Sequence, residues 1–418
     1  MIDVAVLRND PEALRKVLAR RLVEIDVDLL AQLDEARRRA RARAESLRAE
    51  QKRSGKQIAD LEGEPREAAI ERAGELADQY RAAVAETEEL DVRFGELWER
   101  VPNLPHDSVP DGATDEENVE LKRWGDPPAF AFDVKDHQQL GAALDIIDLE
   151  RAAKVSGSRF GYLKGAAVLL ELGLVRWTFD RLVPEGFIPV VPPVLVREAA
   201  LRGTGFFPDD QEQVYAVPRD DLFLAGTSEV PIAAMHADEI LDAVALPLRY
   251  VGFSTCFRRE AGTYGKDTGG IFRVHQFDKV EMFSFCQPER SWDEHDFLLE
   301  RQEGLMQALG IPYRVVNVCT GDLGSSAAKK YDIEAWIPSR QAFREITSCS
   351  NTTDYQARRL KIRLRSDDGT RLVHTLNGTA VAVGRTLIAI VENYQQEDGS
   401  IVVPEVLRPY VGVDRLGP

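Results

Sequence analysis

Phe257-Arg258-Arg259-Glu260, the loop Ala261–Gly270, and the return Ile271-Phe272-Arg273-Val274-His275-Gln276-Phe277-Asp278-Lys279-Val280-Glu281 decide how this chain is read. The run Leu248–Phe257 and the run Ile271–Cys286 have strand character, and the Gly-containing loop between them makes them an antiparallel pair. Side chains alternate along a strand, so Arg273, His275, Phe277, Lys279 and Glu281 are expected on one face. That face is poor core material. Arg suits phosphate or carboxylate, Phe a flat base, and Glu an ammonium group. A solvent-facing strand with ordinary cross-strand ion pairs fits the same residues.

Three further clusters have comparable chemistry. Asn377-Gly378-Thr379-Ala380-Val381-Ala382-Val383-Gly384-Arg385 follows an expected strand at Arg371–Leu376 and leads into a helical pattern through Leu387, Ile390, Val391 and Tyr394. Small residues beside a helix start admit a ligand closely, and an Arg in so apolar a segment needs an anionic or aromatic partner if buried; a surface Arg on an amphipathic helix is the alternative. Arg344-Glu345-Ile346-Thr347-Ser348 offers carboxylate and hydroxyl oxygens suited to a hard cation such as Mg²⁺. Ala225-Gly226-Thr227-Ser228-Glu229 offers groups for an amino substrate, though a helix N-cap is the commoner use of such residues.

Farther out, Val27–Arg100 is rich in Ala, Glu, Arg and Leu. Leu33, Arg37, Ala40, Ala44, Leu47, Gln51, Ser54, Ile58 and Leu61 recur at spacings of four and three. So do Ala69, Ala73, Leu76, Tyr80, Ala83, Thr87, Leu90, Phe94 and Leu97. Glu62-Gly63-Glu64-Pro65 separates the runs, which predicts an antiparallel helical hairpin, a coiled coil with arms roughly 50 Å long at 1.5 Å per residue. The first arm is basic, with Arg37, Arg38, Arg41, Arg48, Lys52 and Arg53 among its cations. A dimerisation coiled coil and a phosphate-gripping rod share this periodicity. The expected domains are an N-terminal domain over 1–105 with its arm at about 27–100, a Pro-containing linker and lead-in over 106–134, and a second domain over 135–418. There Tyr162–Leu182 reads as mostly helix and Phe187–Val191 as strand. The class is α+β, built on an antiparallel sheet flanked by helices.

The 418 residues carry a net charge of −17, which excludes a uniformly basic nucleic-acid binder but not a local basic patch. The four cysteines, Cys256, Cys286, Cys319 and Cys349, form no C-x-x-C pair, so no structural zinc is expected and a reducing compartment fits. No apolar run reaches the roughly 18 residues of a membrane helix, and Met1–Leu18 lacks the apolar core of a secretory signal. A soluble, cytoplasmic protein with no membrane partner is expected. No G-x-G-x-x-G or G-x-x-x-x-G-K-[ST] motif occurs, so a nucleotide needs another kind of cradle.

Taken in order, these pieces resemble bacterial seryl-tRNA synthetases along essentially the whole chain. Phe257–Glu260 with its loop and return strand resembles class II motif 2, and Val381–Arg385 with its helix resembles motif 3. The helix before Gly186 with Phe187–Val194 resembles motif 1, the dimer-interface element. The hairpin resembles the arm that binds the long variable arm of transfer RNA. The resemblance implies a homodimeric enzyme that activates L-serine with ATP and Mg²⁺ and loads tRNA(Ser), with tRNA(Sec) a further acceptor where that RNA exists. It implies that Arg258 bridges serine carboxylate and α-phosphate. Arg259, Glu260, Val274, Phe277, Ile346, Thr347 and Arg385 would surround ATP, with Glu260 reading the adenine amino group and Phe277 and Arg385 sandwiching the base. Arg273 and Arg385 would hold the triphosphate, and Glu345 and Ser348 would carry Mg²⁺. Thr227, Ser228, Glu229, Glu281 and Thr379 would hold serine, its ammonium mainly through Glu281. Thr379 stands where many relatives carry serine, and either hydroxyl serves. Ala261–Gly270 would meet the acceptor end of the RNA. His275 is expected to be structural.

Overall fold

The computed structural model describes residues 1–262, 269–367 and 369–417, and the chain divides into two compact units, Ile2–Pro102 and Asn103–Pro418. In the first, α1 (Val27–Ala59) and α2 (Glu64–Trp98) form the hairpin. Asp26 caps α1 by accepting from Leu29 N–H at 2.9 Å. The chain reverses through Gly63, whose φ of 63° favours glycine, and Pro65 occupies the first turn of α2. Every position of both expected seams is buried or half-buried, whereas Ile70 and Val92, off the seam, are exposed. Arg37 occupies a seam position because it has partners there. It bonds Asp34 at 2.7 Å, reaches Asp91 at 3.4 Å, and lies 4.0 Å from the centre of the Phe94 ring.

The second unit is built on eight strands: β1 (Val119–Trp124), β2 (Phe187–Val190), β3 (Leu248–Phe257), β4 (Gln276–Cys286), β5 (Tyr313–Asn317), β6 (Lys329–Ile337), β7 (Ala342–Thr353) and β8 (His374–Ala382). Their order across the sheet is β1-β5-β6-β7-β8-β4-β3-β2. All neighbours are antiparallel except β2, which joins β3 in parallel at one edge after α3 (Ala166–Leu182) and a turn at Gly186. Alternation holds through β4. Val280 and Met282 enter a core with Leu298, Leu305 and Met306 of α4 (Ser291–Ala308) and Leu387, Ile388 and Val391 of α5 (Val383–Asn393). The opposite face of the sheet keeps Lys279 and Glu281, with Phe283 and Phe285 farther along packed against Ile232 and Leu360.

Four boundaries differ from the sequence reading. The return strand starts at Gln276, not Ile271, because the preceding backbone bonds outside the ladder: Ile271 N–H donates to His137 Nε2 and His275 N–H to Arg159 O. Asn377–Ala382 is strand rather than a helix approach, since β4 and β7 pair with β8 on both sides. Tyr162–Leu163 pairs with Ile147–Asp148, delaying α3 to Ala166. Within the expected lead-in, Val119–Trp124 is an edge strand paired with β5.

Candidate active site

The polar face opens into two adjoining cavities. One, of about 220 Å³, is lined by Arg258, Glu260, Arg273, Val274, Phe277, Glu345, Ile346, Thr347, Ser348 and Arg385, among others. The second, of about 290 Å³, is lined by Thr227, Glu229, Glu281, Asn377 and others. Arg258, Lys279, Glu345, Ser348 and Thr379 line both. Guanidinium groups from stretches far apart in sequence thus converge on one space whose neighbour ends in Glu281.

Two β-bulges produce this register. In β7, Ile346 is an extra residue between Glu345, opposite Glu334, and Thr347, opposite Ile333. Three residues apart on a regular strand, Glu345 and Ser348 would face opposite sides; the bulge puts both on the cavity side while Ile346 enters the core. In β8, Ala380 is the extra residue and Thr379 comes to lie opposite Glu281.

Glu281 is 1% exposed and pairs with the Lys279 ammonium, which also donates to Thr227 Oγ1 at 2.7 Å. Glu229 accepts from Gln356 Nε2 at 2.7 Å and Asn377 Nδ2 at 3.1 Å. Burial, and then the Glu281 charge, push the Glu229 carboxyl up to about 7. Glu345 shows the opposite balance. Burial in the cleft would raise its carboxyl, but Arg385 and Lys330 overcome this and hold it down at about 2. Its side chain keeps 45% of its surface open, so the burial penalty is modest and the neighbouring cations decide the direction.

The arginines are held in place. Arg258 Nε donates to Gly226 O at 3.2 Å, and its guanidinium lies 5.2 Å from the Phe277 ring centre. Arg273 donates to Glu260 at 2.6 Å. Arg385 donates to Glu345 O at 3.0 Å and to its carboxylate at 3.2 Å, and lies 4.7 Å from the Phe272 ring. In this arrangement Arg385 stacks on Phe272 and lines the same cavity as Phe277.

Some expected residues lie elsewhere. Arg259 lines neither cavity and lies 5.5 Å from the Tyr215 ring, its backbone N–H bonded to Gln213 O. Ser228 precedes the short helix Glu229–Ala234 but is fully buried, with no hydrogen bond to its hydroxyl among the described residues, so it makes no side-chain cap; Thr227 Oγ1 accepts from Glu229 N–H at 3.2 Å. His275 leaves the Arg273–Glu281 face, bonds Arg258 O through Nδ1 at 3.0 Å and contacts Phe160. None of the six histidines lines either cavity. Residues 263–268 of the loop lie outside the described residues. The sequence reading placed Lys279 on the polar face without giving it a role, and gave none to Asn377, although alternation from Thr379 two residues on could have found it. Gln356 had no local signal.

An antiparallel sheet with an arginine-lined cleft built on a strand–loop–strand is the architecture of class II tRNA synthetases. Residues 215–394 match the tRNA synthetase class II core domain (G, H, P, S and T), and residues 1–105 match the seryl-tRNA synthetase N-terminal domain. The chain belongs to the serine–tRNA ligase family. It is 52% identical to the serine–tRNA ligase of Acidothermus cellulolyticus over 100% of both chains, and 51% identical to that of Thermobifida fusca over 100% of this chain and 99% of the relative. Among solved structures it is similar to seryl-tRNA synthetase from Pyrococcus horikoshii complexed with ATP, with TM-score 0.93, 43% identity and full coverage of both chains.

Proposed function

We propose that this chain activates L-serine with ATP to seryl-adenylate and transfers serine to the 3′ end of tRNA(Ser). The observation that carries this reading is the pair of cavities joined at Arg258, one rich in guanidinium groups and the other ending in buried Glu281. In the first step the serine carboxylate attacks the α-phosphorus and pyrophosphate leaves. A carboxylate is ionised at neutral pH, so the step needs no general base, in keeping with cavities that no histidine lines. What it needs is positioning and charge neutralisation. Arg258, in both cavities, bridges carboxylate and α-phosphate. Arg273 and Arg385 hold the β- and γ-phosphates, Glu260 reads the adenine amino group, and Phe277 with Arg385 encloses the base beside Val274.

Glu281 takes the serine ammonium, with Thr227, Glu229 and Thr379 completing the pocket. A site that hydrogen-bonds a substrate hydroxyl rejects the analogue lacking it by as much as about 10⁴–10⁵, and threonine is refused by space. Glu345 and Ser348 would suit Mg²⁺, offering one carboxylate held ionised and one hydroxyl on the same face, both hard oxygen donors. The ion would neutralise phosphate charge. In the second step a terminal ribose hydroxyl attacks the adenylate carbonyl and the carbonyl–phosphate bond breaks to release AMP; the adenylate phosphate is a base within reach of the hydroxyl proton.

The N-terminal domain, through the basic side of α1, binds the RNA. Val168, Leu169 and Leu172 form an exposed apolar stripe on α3, which supports a homodimer. Among the described residues no helix is long and apolar enough to cross a membrane, and a cytoplasmic location is proposed, with tRNA(Sec) a second acceptor where it is present. An ATP–pyrophosphate exchange assay across the amino acids tests the reading. Serine alone should support exchange, and strong exchange with another amino acid would overturn it.

A further inference from the structure

Gln302 of α4 is 1% exposed and lies under the floor of the site. Its Nε2 donates to Ser348 O at 2.7 Å and to Thr379 O at 2.8 Å. Those carbonyls belong to β7 and β8 at the point where the two strands part. Their ladder runs from Thr353–Thr375 to Cys349–Gly378 and stops there; Ser348 and Thr379 would be the next pair. Beyond that point the strands flank the cavities, and both residues line them. One side-chain amide therefore replaces the ladder across the gap. Its orientation is fixed by chemistry, since the reversed amide would set Oε1 against two carbonyl oxygens. Oε1 itself accepts no hydrogen bond among the described residues. A buried acceptor left unmet is unfavourable, so what Gln302 contributes here is its two donors.

We propose that Gln302 is a positioning residue, bridging β7 and β8 so as to fix the separation of the Ser348 and Thr379 hydroxyls on the cavity side. This rests on the reading in which Ser348 serves the cation and Thr379 faces serine. Gln302 touches no substrate. It acts by holding the two ligand-bearing strands apart by one amide width.

The test compares Gln302→Met and Gln302→Glu with the parent enzyme. Serine-dependent pyrophosphate exchange is measured against serine, ATP and Mg²⁺, alongside thermal unfolding. Met keeps length and apolar packing but has no donor. Glu, buried and so protonated, keeps one. Positioning by donors predicts the order Gln, Glu, Met in kcat/KM for serine per folded molecule, with Met down at least about tenfold, the scale of one or two lost hydrogen bonds. The half-saturating Mg²⁺ concentration should rise in the same order. A role in packing alone predicts the reverse, with Met tolerated and the buried acid worst; that order, or unchanged KM values with activity tracking only the folded fraction, overturns the proposal. If Met does not fold, Glu decides: parental KM values for serine and Mg²⁺ sink the proposal, and raised ones support it. A parent enzyme inactive with serine would instead overturn the site reading, and this inference with it.

Discussion

Glu281 and Thr379 face one another across β4 and β8, and the Thr379 hydroxyl donates to Glu281 Oε2 at 3.3 Å. Were the register to continue regularly from the Val280–Val381 pair, the partner of Glu281 would be Ala380. The bulge thus gives the deepest carboxylate of the site a neighbouring hydroxyl beside its ion pair with Lys279.

Glu281→Ala should lower serine-dependent pyrophosphate exchange by at least about a hundredfold, the upper range for a hydrogen bond to a charged group, while calorimetry shows ATP still binding. It leaves the Lys279 ammonium buried without its carboxylate, so the melting temperature should also fall. Undiminished exchange would remove serine from this end of the cleft.

Arg385 contacts both the backbone and carboxylate of Glu345 and stacks on Phe272. A lysine cannot reproduce the planar fork. Arg385→Lys is expected to reduce kcat/KM for ATP by about 10- to 100-fold, on the scale of one lost charge-assisted contact, with KM for serine little changed. A defect confined to serine would place Arg385 outside the nucleotide site.

Glu229 provides a pH signature. Its carboxyl titrates near 7 in the folded chain, against 4.5 as its ordinary value, so the folded state binds the extra proton between those limits. Stability from this group therefore declines as pH rises from about 4.5 to 7 and is level above, each pH unit of displacement amounting to about 1.4 kcal/mol. Chemical denaturation across this range should show the parent's stability falling relative to that of Glu229→Gln as pH rises. A parent that gains on the variant with rising pH would contradict the assignment.

The basic residues of the arm divide by geometry. Arg37 is 17% exposed and tied to Asp34 and Asp91, whereas Arg48, Lys52 and Arg53 are exposed. Replacing Arg37 by Ala should destabilise the hairpin. Replacing the other three together should leave unfolding unchanged, weaken RNA binding, and lower the log–log salt slope by about 1 per lost phosphate contact. Filter binding over a salt series separates these outcomes. A flat slope difference would assign RNA binding elsewhere.

Deleting residues 27–100 and closing the gap with a short Gly-Ser linker should preserve adenylate formation and cripple aminoacylation. Equal loss of both would make the hairpin a structural element.

The seams of the hairpin were legible because a heptad repeat is local and its burial follows directly from spacing. Strand β3 was legible for the same reason, as were Arg258, Glu281 and Arg385 through chemistry too polar for a core. Bulges were not, because one extra residue such as Ile346 leaves no mark in composition and only reveals itself against a partner strand. Asn377–Ala382 is small and apolar enough to suit helix or strand, and pairing on two sides decided it. The Gln302 bridge joins residues far apart in sequence, and periodicity has no access to that distance.

Along α1 the fully buried seam residues end at Leu47, and along α2 they begin only at Ala83. The outer half of the hairpin is held by half-covered side chains such as Ser54, Ile58 and Leu76. Local opening must then begin at the tip and die out toward the root. The rod is stiff where it starts and pliant where it ends, so any partner that grips the tip must also bear the entropy of ordering it.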